Sequence, residues 1–244
     1  MTREPTILAT SGGMRDDPRH ELVFAPLVRH AVDLSGAAGT PRLCHLGTAS
    51  GDQRHWAAAV DEAGRAAGIE VSHLHLFPMP NQADVLGHLL AQDVVWVNGG
   101  SVANLLAVWR VHRLDEVFRQ VWEAGVVLGG VSAGSICWHV GGTTDSFGPD
   151  LRAVTDGLGF LPYSNGVHHD GEPRRRPLFA RLVGDGTLPA GYATDDGVGL
   201  HYRGTELVEA VTEQRGKHAW QVTRSGPGVV HEVALATREL RGAV

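Results

Sequence analysis

Short apolar runs alternate with longer segments of helical periodicity through the first half of this sequence. The apolar runs predict strands at Thr6–Ala9, Arg42–Thr48, Glu70–Phe77, Val94–Asn98 and Val126–Val131. The segments between them predict helices at His20–Leu34, Asp52–Ala67, Gln82–Ala91 and Val102–Glu123, the last broken near His112. Such alternation indicates an α/β fold with a mostly parallel central sheet and helices on both of its faces.

The second half of the chain differs in composition and in its pattern of apolar residues. Turn residues become frequent after Trp138, and the stretch "HAWQVTRSGPGVVHEVAL" predicts a hairpin of antiparallel strands. Neither a linker nor an internal repeat separates the two halves. We therefore expect residues 1–244 to form a single α/β domain with an antiparallel C-terminal extension.

Composition narrows the class of protein. The 244 residues carry a net charge of -6 and are 43% hydrophobic, which is enough to bury a large core. The absence of a basic stripe argues against nucleic acid as a partner, and the absence of an apolar run of about 18 residues argues against a membrane span. Cys44 and Cys137 make no disulfide framework, and the N-terminal residues lack the pattern of a secretory signal. We expect a cytoplasmic protein.

Three glycine-containing loops follow predicted strands: "TSGGMR", "VNGGSVANLL" and "GGVSAGS". Right-handed crossovers bring the carboxyl ends of parallel strands to one edge of the sheet. Ligands of open α/β sheets bind in the crevice along that edge. The sequence therefore predicts a functional site built from these loops.

Ser132 is the candidate nucleophile of that site. It lies at the centre of Gly130–Gly134, "GVSAG", which matches the G-x-S-x-G motif that places a serine on a tight strand-to-helix turn. The N–H of Ala133 would then donate to a developing oxyanion, with Gly99 or Gly100 as the second donor. A chance match in a chain with 32 glycines is the alternative interpretation. Cys137, further along the predicted helix, is expected to face the core.

A serine nucleophile needs a general base and a group that orients the base. Among the 14 histidines, His168 and His169 follow a predicted strand directly, and at most one of them can face Ser132 because adjacent residues of an extended segment point to opposite faces. Asp195 and Asp196 follow a later short strand. A polar surface loop and a plain Asp-Gly turn stay open as alternatives. The resulting chain order, Ser…His…Asp, differs from the Ser…Asp…His order of α/β-hydrolases.

That order, with "NGGSVANLL" ahead of "GGVSAGS", resembles the peptidase E (aspartyl dipeptidase) family of serine peptidases, which includes the cyanophycinases. The resemblance extends from "ILATSGG" to "DDGVGL". It implies a flavodoxin-like α/β sandwich related to class I glutamine amidotransferases. It also implies Ser132 as nucleophile, His168 as base, and Asp196 as the acid at a position where the family usually has glutamate. Asp195 is the alternative acid.

The resemblance further implies a substrate. Enzymes that resemble aspartyl dipeptidase accept an N-terminal Asp, whose β-carboxylate requires a cation. Arg174 best matches the family's arginine, although the loop between His168 and Arg174 is shorter here than in well-known members. Asp145, in "TTDS", resembles an acidic turn of the substrate site. The expected reaction is hydrolysis of the first peptide bond of short peptides such as Asp-X dipeptides, through an acyl-enzyme.

Two other functions stay open. One is a cyanophycinase-like hydrolase of β-aspartyl-arginine polymers, and the other is a non-catalytic binding domain for small molecules. A metal site built on "HLH" and "HHD" lacks an obvious further ligand, so we predict neither a metal nor a cofactor. The expected partner is a small peptide substrate, with no nucleic acid and no membrane, and a homodimer stays open as an alternative to a monomer.

Overall fold

The computed structural model of the chain describes residues 4–243. Within them the strands, in chain order, are β1 (Thr6–Thr10), β2 (Met14–Asp17), β3 (Glu21–Phe24), β4 (Arg42–Leu46), β5 (Glu70–His73), β6 (Val94–Val97), β7 (Val127–Val131), β8 (His139–Thr144), β9 (Arg152–Val154), β10 (Leu161–Gly166), β11 (Gly191–Thr194), β12 (Val198–Arg203), β13 (Glu206–Thr212), β14 (Ala219–Gly226), β15 (Val229–Leu235) and β16 (Thr237–Glu239). The helices are α1 (Pro26–Ser35), α2 (Arg54–Ala67), α3 (Val85–Leu90), α4 (Val102–Val111), α5 (Leu114–Glu123), α6 (Ala133–Ile136) and α7 (Arg175–Asp185), with a 3-10 turn at Thr48–Ser50.

Eight of the described strands form a central sheet in the order β16-β13-β12-β1-β7-β6-β4-β5. The run from β1 to β5 is parallel throughout, while β12 pairs antiparallel with both β1 and β13. The five strands predicted from apolar runs are these parallel ones, although β5 ends at His73 rather than Phe77. The predicted mostly parallel central sheet is confirmed.

Side chains alternate between the two faces of this sheet, and each face is covered by helices. Leu8 and Trp96 belong to a buried cluster with residues of α1 and α2. Ile7 and Val97 belong to another cluster with residues of α4 and α5. All four side chains are fully buried. The near-continuous apolar character of the strands follows from this burial on both faces, and the expected placement of helices is confirmed.

An aromatic cluster fixes the helices next to the predicted serine turn. Trp109 of α4, Phe118 of α5 and Trp138, just after α6, are all fully buried. The ring centroids of Trp109 and Phe118 are 4.5 Å apart, and those of Phe118 and Trp138 are 5.5 Å apart. Each such ring pair contributes about 1 kcal/mol beyond simple burial. The segment that follows Ser132 is therefore held firmly in the core.

A second sheet of the described chain has the order β15-β14-β11-β10-β8-β9. Its last two strands in sequence, β14 and β15, form the predicted antiparallel hairpin. The parallel pairing of β10 with both β8 and β11 was not predicted. Its strands are short and rich in turn residues, so the sequence carries little periodic signal there. The carboxyl ends of β10 and β11 carry the segments that contain His168 and Asp196.

The helix predicted over His20–Leu34 is wrong in its first part. A hairpin of β2 and β3 occupies that region, with Met14 paired to Phe24, and α1 begins only at Pro26. Proline has no N–H and a fixed φ, so it suits the first turn of a helix and not its interior. The predicted break in the fourth helix is confirmed, because α4 ends at Val111 and α5 begins at Leu114. No helix in residues 4–243 is both long and apolar enough to cross a membrane.

Candidate active site

Ser132 occupies a strained turn between β7 and α6. Its φ of 57° and ψ of -110° lie in a region that L side chains rarely adopt. A Cβ on Gly130 would lie 2.5 Å from the carbonyl oxygen of Val97, and a Cβ on Gly134 would overlap the same oxygen. The glycines of the motif are therefore required because the turn passes directly against β6.

Backbone hydrogen bonds hold Ser132 in that conformation. Its N–H donates to the carbonyl oxygen of Thr10 at 3.0 Å, and its own carbonyl accepts from the N–H groups of Ser135 and Ile136. The hydroxyl of Thr10 also donates to the carbonyl of Gly130. The side chain of Ser132 is partly exposed and lines a surface cleft of about 440 Å³.

The turn that follows β6 lies beside this serine. A Cβ on Gly99 would be 3.3 Å from the Cβ of Ser132. Gly100 has a φ of 137°, and a Cβ there would be 2.5 Å from the carbonyl oxygen of Ala49. The N–H groups of Gly99, Gly100 and Ala133 donate to no group in residues 4–243. Backbone donors next to a nucleophile are the components of an oxyanion hole.

His168 and Asp196 meet at the same edge of the molecule. The Nδ1 of His168 is 2.5 Å from Oδ1 of Asp196, and the imidazole lines the cleft together with Ser132. Because Nδ1 faces the carboxylate, Nε2 is the nitrogen available to the serine. No hydrogen bond joins the hydroxyl of Ser132 to an imidazole within the described chain, and such bonds are often long in unliganded enzymes.

The backbone of His168 is as unusual as that of Ser132. Its φ is 52°, in the left-handed region. Its N–H donates to Oγ of Ser11 at 3.0 Å, and that hydroxyl lies 2.7 Å from Oγ1 of Thr194. Ser11 is buried and follows β1 directly. It therefore positions the loop that carries the imidazole.

The two candidate acids have different surroundings. Asp195 is buried, and its carboxylate accepts hydrogen bonds from the His218 N–H and from Nε1 of Trp220, both at 2.9 Å. These bonds join the end of β11 to β14. Asp196 instead contacts His168 and is partly exposed. Of the two carboxylates, only that of Asp196 is in reach of the imidazole.

An ion pair behind Asp196 fixes its backbone. The N–H of Asp196 donates to Oδ1 of Asp170 at 2.8 Å, and the ammonium of Lys217 is hydrogen-bonded to the other oxygen of that carboxylate. Burial by itself raises the pKa of Asp170, but these two hydrogen bonds outweigh it and leave the pKa below its ordinary value. Asp170 is therefore ionised at neutral pH and holds Asp196 in place.

Arg174, the predicted substrate arginine, points to other partners. Its guanidinium donates to the carbonyl of Pro149 and to the carboxylate of Glu172, and it does not line the cleft. The next residue, Arg175, does line the cleft and is buried. Arg175 begins α7 and faces inward, while Arg174 stays at the surface, so of the two arginines only Arg175 lies beside Ser132 and His168.

Arg175 is held rigidly beside the predicted acidic turn. Its Nε donates to Glu172 at 2.9 Å and its Nη1 to the carbonyl of Thr143 at 3.0 Å. The remaining nitrogen, Nη2, is 3.9 Å from Oδ2 of Asp145. Asp145 is largely exposed and lines the same cleft as Ser132. The cleft thus presents one guanidinium and one carboxylate side by side.

Cys137 does not compete for the role of nucleophile. Its thiol is fully buried and donates to the carbonyl of Gly134. Burial raises the pKa of this thiol well above its ordinary value, which suppresses the reactive thiolate. The expectation that Cys137 faces the core is confirmed.

Comparison with known proteins identifies the family. The sequence profile described as Peptidase family S51 matches residues 7–210, which is most of the chain and includes Ser132, His168 and Asp196. The chain belongs to peptidase family S51. It is also 40% identical over 194 residues to the uncharacterized peptidase YgaJ of Bacillus subtilis (strain 168). The matched region covers 80% of this chain and 81% of that protein. The expected membership of the peptidase E family is confirmed, and the chain is a peptidase.

Two solved structures share the fold of this S51 peptidase. A peptidase from an acI-B1 Actinobacterium superposes with a TM-score of 0.69 at 15% identity, over 96% of each chain. A putative peptidase E protein from Listeria monocytogenes EGD-e superposes with a TM-score of 0.59 at 16% identity, over 86% of this chain and 98% of that one. At these identities the likeness establishes the α/β fold.

Several residues around the site of this S51 peptidase were missed from the sequence. Ser11 lies in the quoted "TSGG" loop, and a serine at the carboxyl end of an apolar strand was a usable signal. Lys217 is the only lysine of the chain, but nothing local pairs it with Asp170, 47 positions away. The selection of Arg175 over Arg174 depends on where α7 begins, which the arginine run does not indicate.

Proposed function

We propose that this peptidase is a serine-type enzyme in which Ser132, His168 and Asp196 act as nucleophile, general base and orienting acid. The observation that carries the proposal is the 2.5 Å contact between Nδ1 of His168 and Asp196, on an imidazole that shares a cleft with Ser132. A carboxylate in this position fixes the tautomer of the imidazole and stabilises its protonated form. The remaining nitrogen, Nε2, is then the base.

The reaction follows from these positions. Oγ of Ser132 attacks the carbonyl carbon of the first peptide bond while Nε2 of His168 takes the hydroxyl proton. The oxyanion accepts hydrogen bonds from the N–H of Ala133 and from that of Gly99 or Gly100. His168 then gives its proton to the departing amine, which leaves an acyl-enzyme. Water, deprotonated by the same imidazole, attacks the ester and releases the acid.

The proposed substrate is a short peptide with an N-terminal Asp. Such a residue carries a β-carboxylate and an α-ammonium group close together, and the cleft offers one charge of each complementary sign. Arg175 is suited to the carboxylate, since a buried guanidinium binds a carboxylate in a fixed geometry. Asp145, 3.9 Å away, is suited to the ammonium. This pairing supports cleavage after an N-terminal Asp.

The nucleophile is tested with the Ser132→Ala variant. We expect its kcat for Asp-X dipeptides to fall by about 10⁴-fold or more, because the covalent route is lost. A fluorophosphonate probe should label the wild-type protein at Ser132 and leave the variant unlabelled. Equal rates in the two proteins would refute the assignment. Absence of both labelling and turnover in the wild type would favour a non-catalytic binding domain.

The substrate preference is tested by comparing adjacent arginines. Arg175→Met should lower kcat/KM for Asp-Leu far more than for Ala-Leu, and Arg175→Lys should restore part of the preference. Arg174→Met removes an equal charge one residue away and should leave the ratio of the two substrates unchanged. If both variants change the two substrates equally, Arg175 is structural. Efficient cleavage of β-aspartyl-arginine polymer with no dipeptide turnover would favour the cyanophycinase-like alternative.

A further inference from the structure

Three chemically complementary side chains converge outside the cleft. They are His30 of α1, His201 of β12 and Glu209 of β13. Their nearest donor atoms all lie within 4.8 Å of one another. Nδ1 of His201 is 3.5 Å from Oε1 of Glu209, and Nε2 of His30 is 3.8 Å from the same oxygen. We propose that these residues bind a divalent transition-metal cation of the Zn²⁺ class.

The imidazoles are buried without satisfying their nitrogens. The side chain of His201 is 3% exposed and that of His30 is 10% exposed. Neither nitrogen of His201, nor Nε2 of His30, has a hydrogen-bond partner in residues 4–243. A buried polar atom without a partner costs about 1–3 kcal/mol. Nδ1 of His201 and Nε2 of His30 both lie near one oxygen of Glu209, and an ion bound there would be the shared partner of these two nitrogens.

The carboxylate is oriented by a neighbouring strand. Arg238 of β16 donates from Nε to Oε2 and from Nη2 to Oε1 of Glu209, both at 2.8 Å. Hydrogen bonds from an outer residue to a ligating carboxylate are typical of metal sites, because they fix the direction of the free lone pair. Arg238 also cancels the charge of Glu209. Binding then depends mainly on the two imidazoles, which favour Zn²⁺ over Mg²⁺ or Ca²⁺.

The dimensions suit a tetrahedral ion. With metal–ligand bonds of about 2.0–2.1 Å, neighbouring ligand atoms of a tetrahedral Zn²⁺ are about 3.3 Å apart. The two separations from the glutamate oxygen, 3.5 and 3.8 Å, are close to this value, and the two imidazole nitrogens lie within 4.8 Å of each other. Two histidines and one glutamate are a known zinc ligand set, with a fourth position for water. A groove of about 530 Å³, lined by His30 and Arg238, gives an entry path from solvent.

The place of the cluster indicates what the ion does. None of its three ligands lines the cleft that contains Ser132 and His168. They join α1 to the edge of the central sheet, where β13 pairs antiparallel with β12 and parallel with β16. A bound ion therefore stabilises this edge and takes no part in peptide hydrolysis.

The test is metal binding by the untagged, full-length protein after treatment with a chelator. Titration calorimetry should show one equivalent of Zn²⁺ bound and no heat from Mg²⁺. Zn²⁺ should also raise the Tm of the wild type. His30→Ala and Glu209→Gln should each weaken the affinity at least tenfold and remove the rise in Tm. His73→Ala and His231→Ala, which change imidazoles outside the cluster, should behave as the wild type.

Two results would overturn the proposal: no stoichiometric binding of Zn²⁺ by the wild type, or full binding by His30→Ala and Glu209→Gln. The visible spectrum of the Co²⁺-loaded wild type gives an answer that needs no variant to fold. Intense bands of a tetrahedral ion are expected, and a spectrum like that of aqueous Co²⁺ would contradict the site.

Discussion

Ser11 is predicted to control the rate of catalysis without contacting the reacting atoms. Its hydroxyl accepts the N–H of His168 at 3.0 Å and lies 2.7 Å from Oγ1 of Thr194. His168 has a φ of 52°, which a non-glycine residue keeps only where its surroundings enforce it. In Ser11→Ala the N–H of His168 loses its acceptor. The loop then lowers its free energy by relaxing to another conformation, and the imidazole moves away from Asp196.

The magnitude follows from the lost hydrogen bond. A buried donor left without an acceptor costs about 1–3 kcal/mol. This cost applies to the conformation in which His168 faces Ser132, so the population of that conformation falls relative to the relaxed ones. Because each 1.4 kcal/mol corresponds to about a tenfold change, kcat should fall by about 5- to 150-fold. KM should change little, since Arg175 and Asp145 are the proposed contacts of the substrate.

The assay compares kcat and KM of the wild type and Ser11→Ala for one dipeptide, together with urea unfolding of both proteins. Ser164→Ala is the matched control. Ser164 is also a buried serine, it lies in β10 of the second sheet, and its hydroxyl donates to the carbonyl of Pro189. This control should lose stability and keep its kcat. A Ser11→Ala protein that is folded and has a kcat within twofold of the wild type would refute the positioning role.

Two further predictions concern stability and the glycine turn. Burial lowers the pKa of His139 to about 4, so the unfolded chain binds a proton at this imidazole between about pH 6.5 and pH 4 and the folded chain does not. On acidification from pH 7 to 4, the free energy of unfolding, measured in urea, should therefore fall by about 3 kcal/mol more for the wild type than for His139→Gln. Parallel dependence of the two free energies on pH would contradict this. Gly100→Ala should abolish peptidase activity, because its Cβ would lie 2.5 Å from the Ala49 carbonyl at a φ of 137°, and full activity would show that this turn is not needed for catalysis.

Much of the central sheet is predictable because its signal is local. Each parallel strand is buried on both faces, so its sequence is an uninterrupted apolar run. The strained turn at Ser132 is also local, since it requires Gly130 and Gly134 within five residues of one another. Chain order and the carboxyl-end rule then bring this serine to the same edge as the loops that follow β1 and β6. His168 and Asp196 follow strands of the second sheet, so this rule does not place them.

The errors arise where the outcome depends on distant residues. One position along a helix turns a side chain by about 100°, so Arg174 and Arg175 differ in direction although they are neighbours. Which of them faces the cleft depends on the start of α7 and on the bond to Thr143. The second sheet was missed for a related reason. Its strands are defined by pairing partners and carry a weak periodic pattern of their own.

The carboxyl end of β1 connects the fold to the proposed chemistry. Ser132 and His168 are both non-glycine residues with positive φ, and such strain persists only when neighbouring groups fix the backbone. The carbonyl of Thr10 fixes the first by accepting its N–H, and the hydroxyl of Ser11 fixes the second in the same way. These two supports are consecutive residues at the end of a fully buried strand that pairs with neighbours on both sides. The distance between nucleophile and base is therefore set by one rigid strand end, although the two residues are 36 positions apart in sequence.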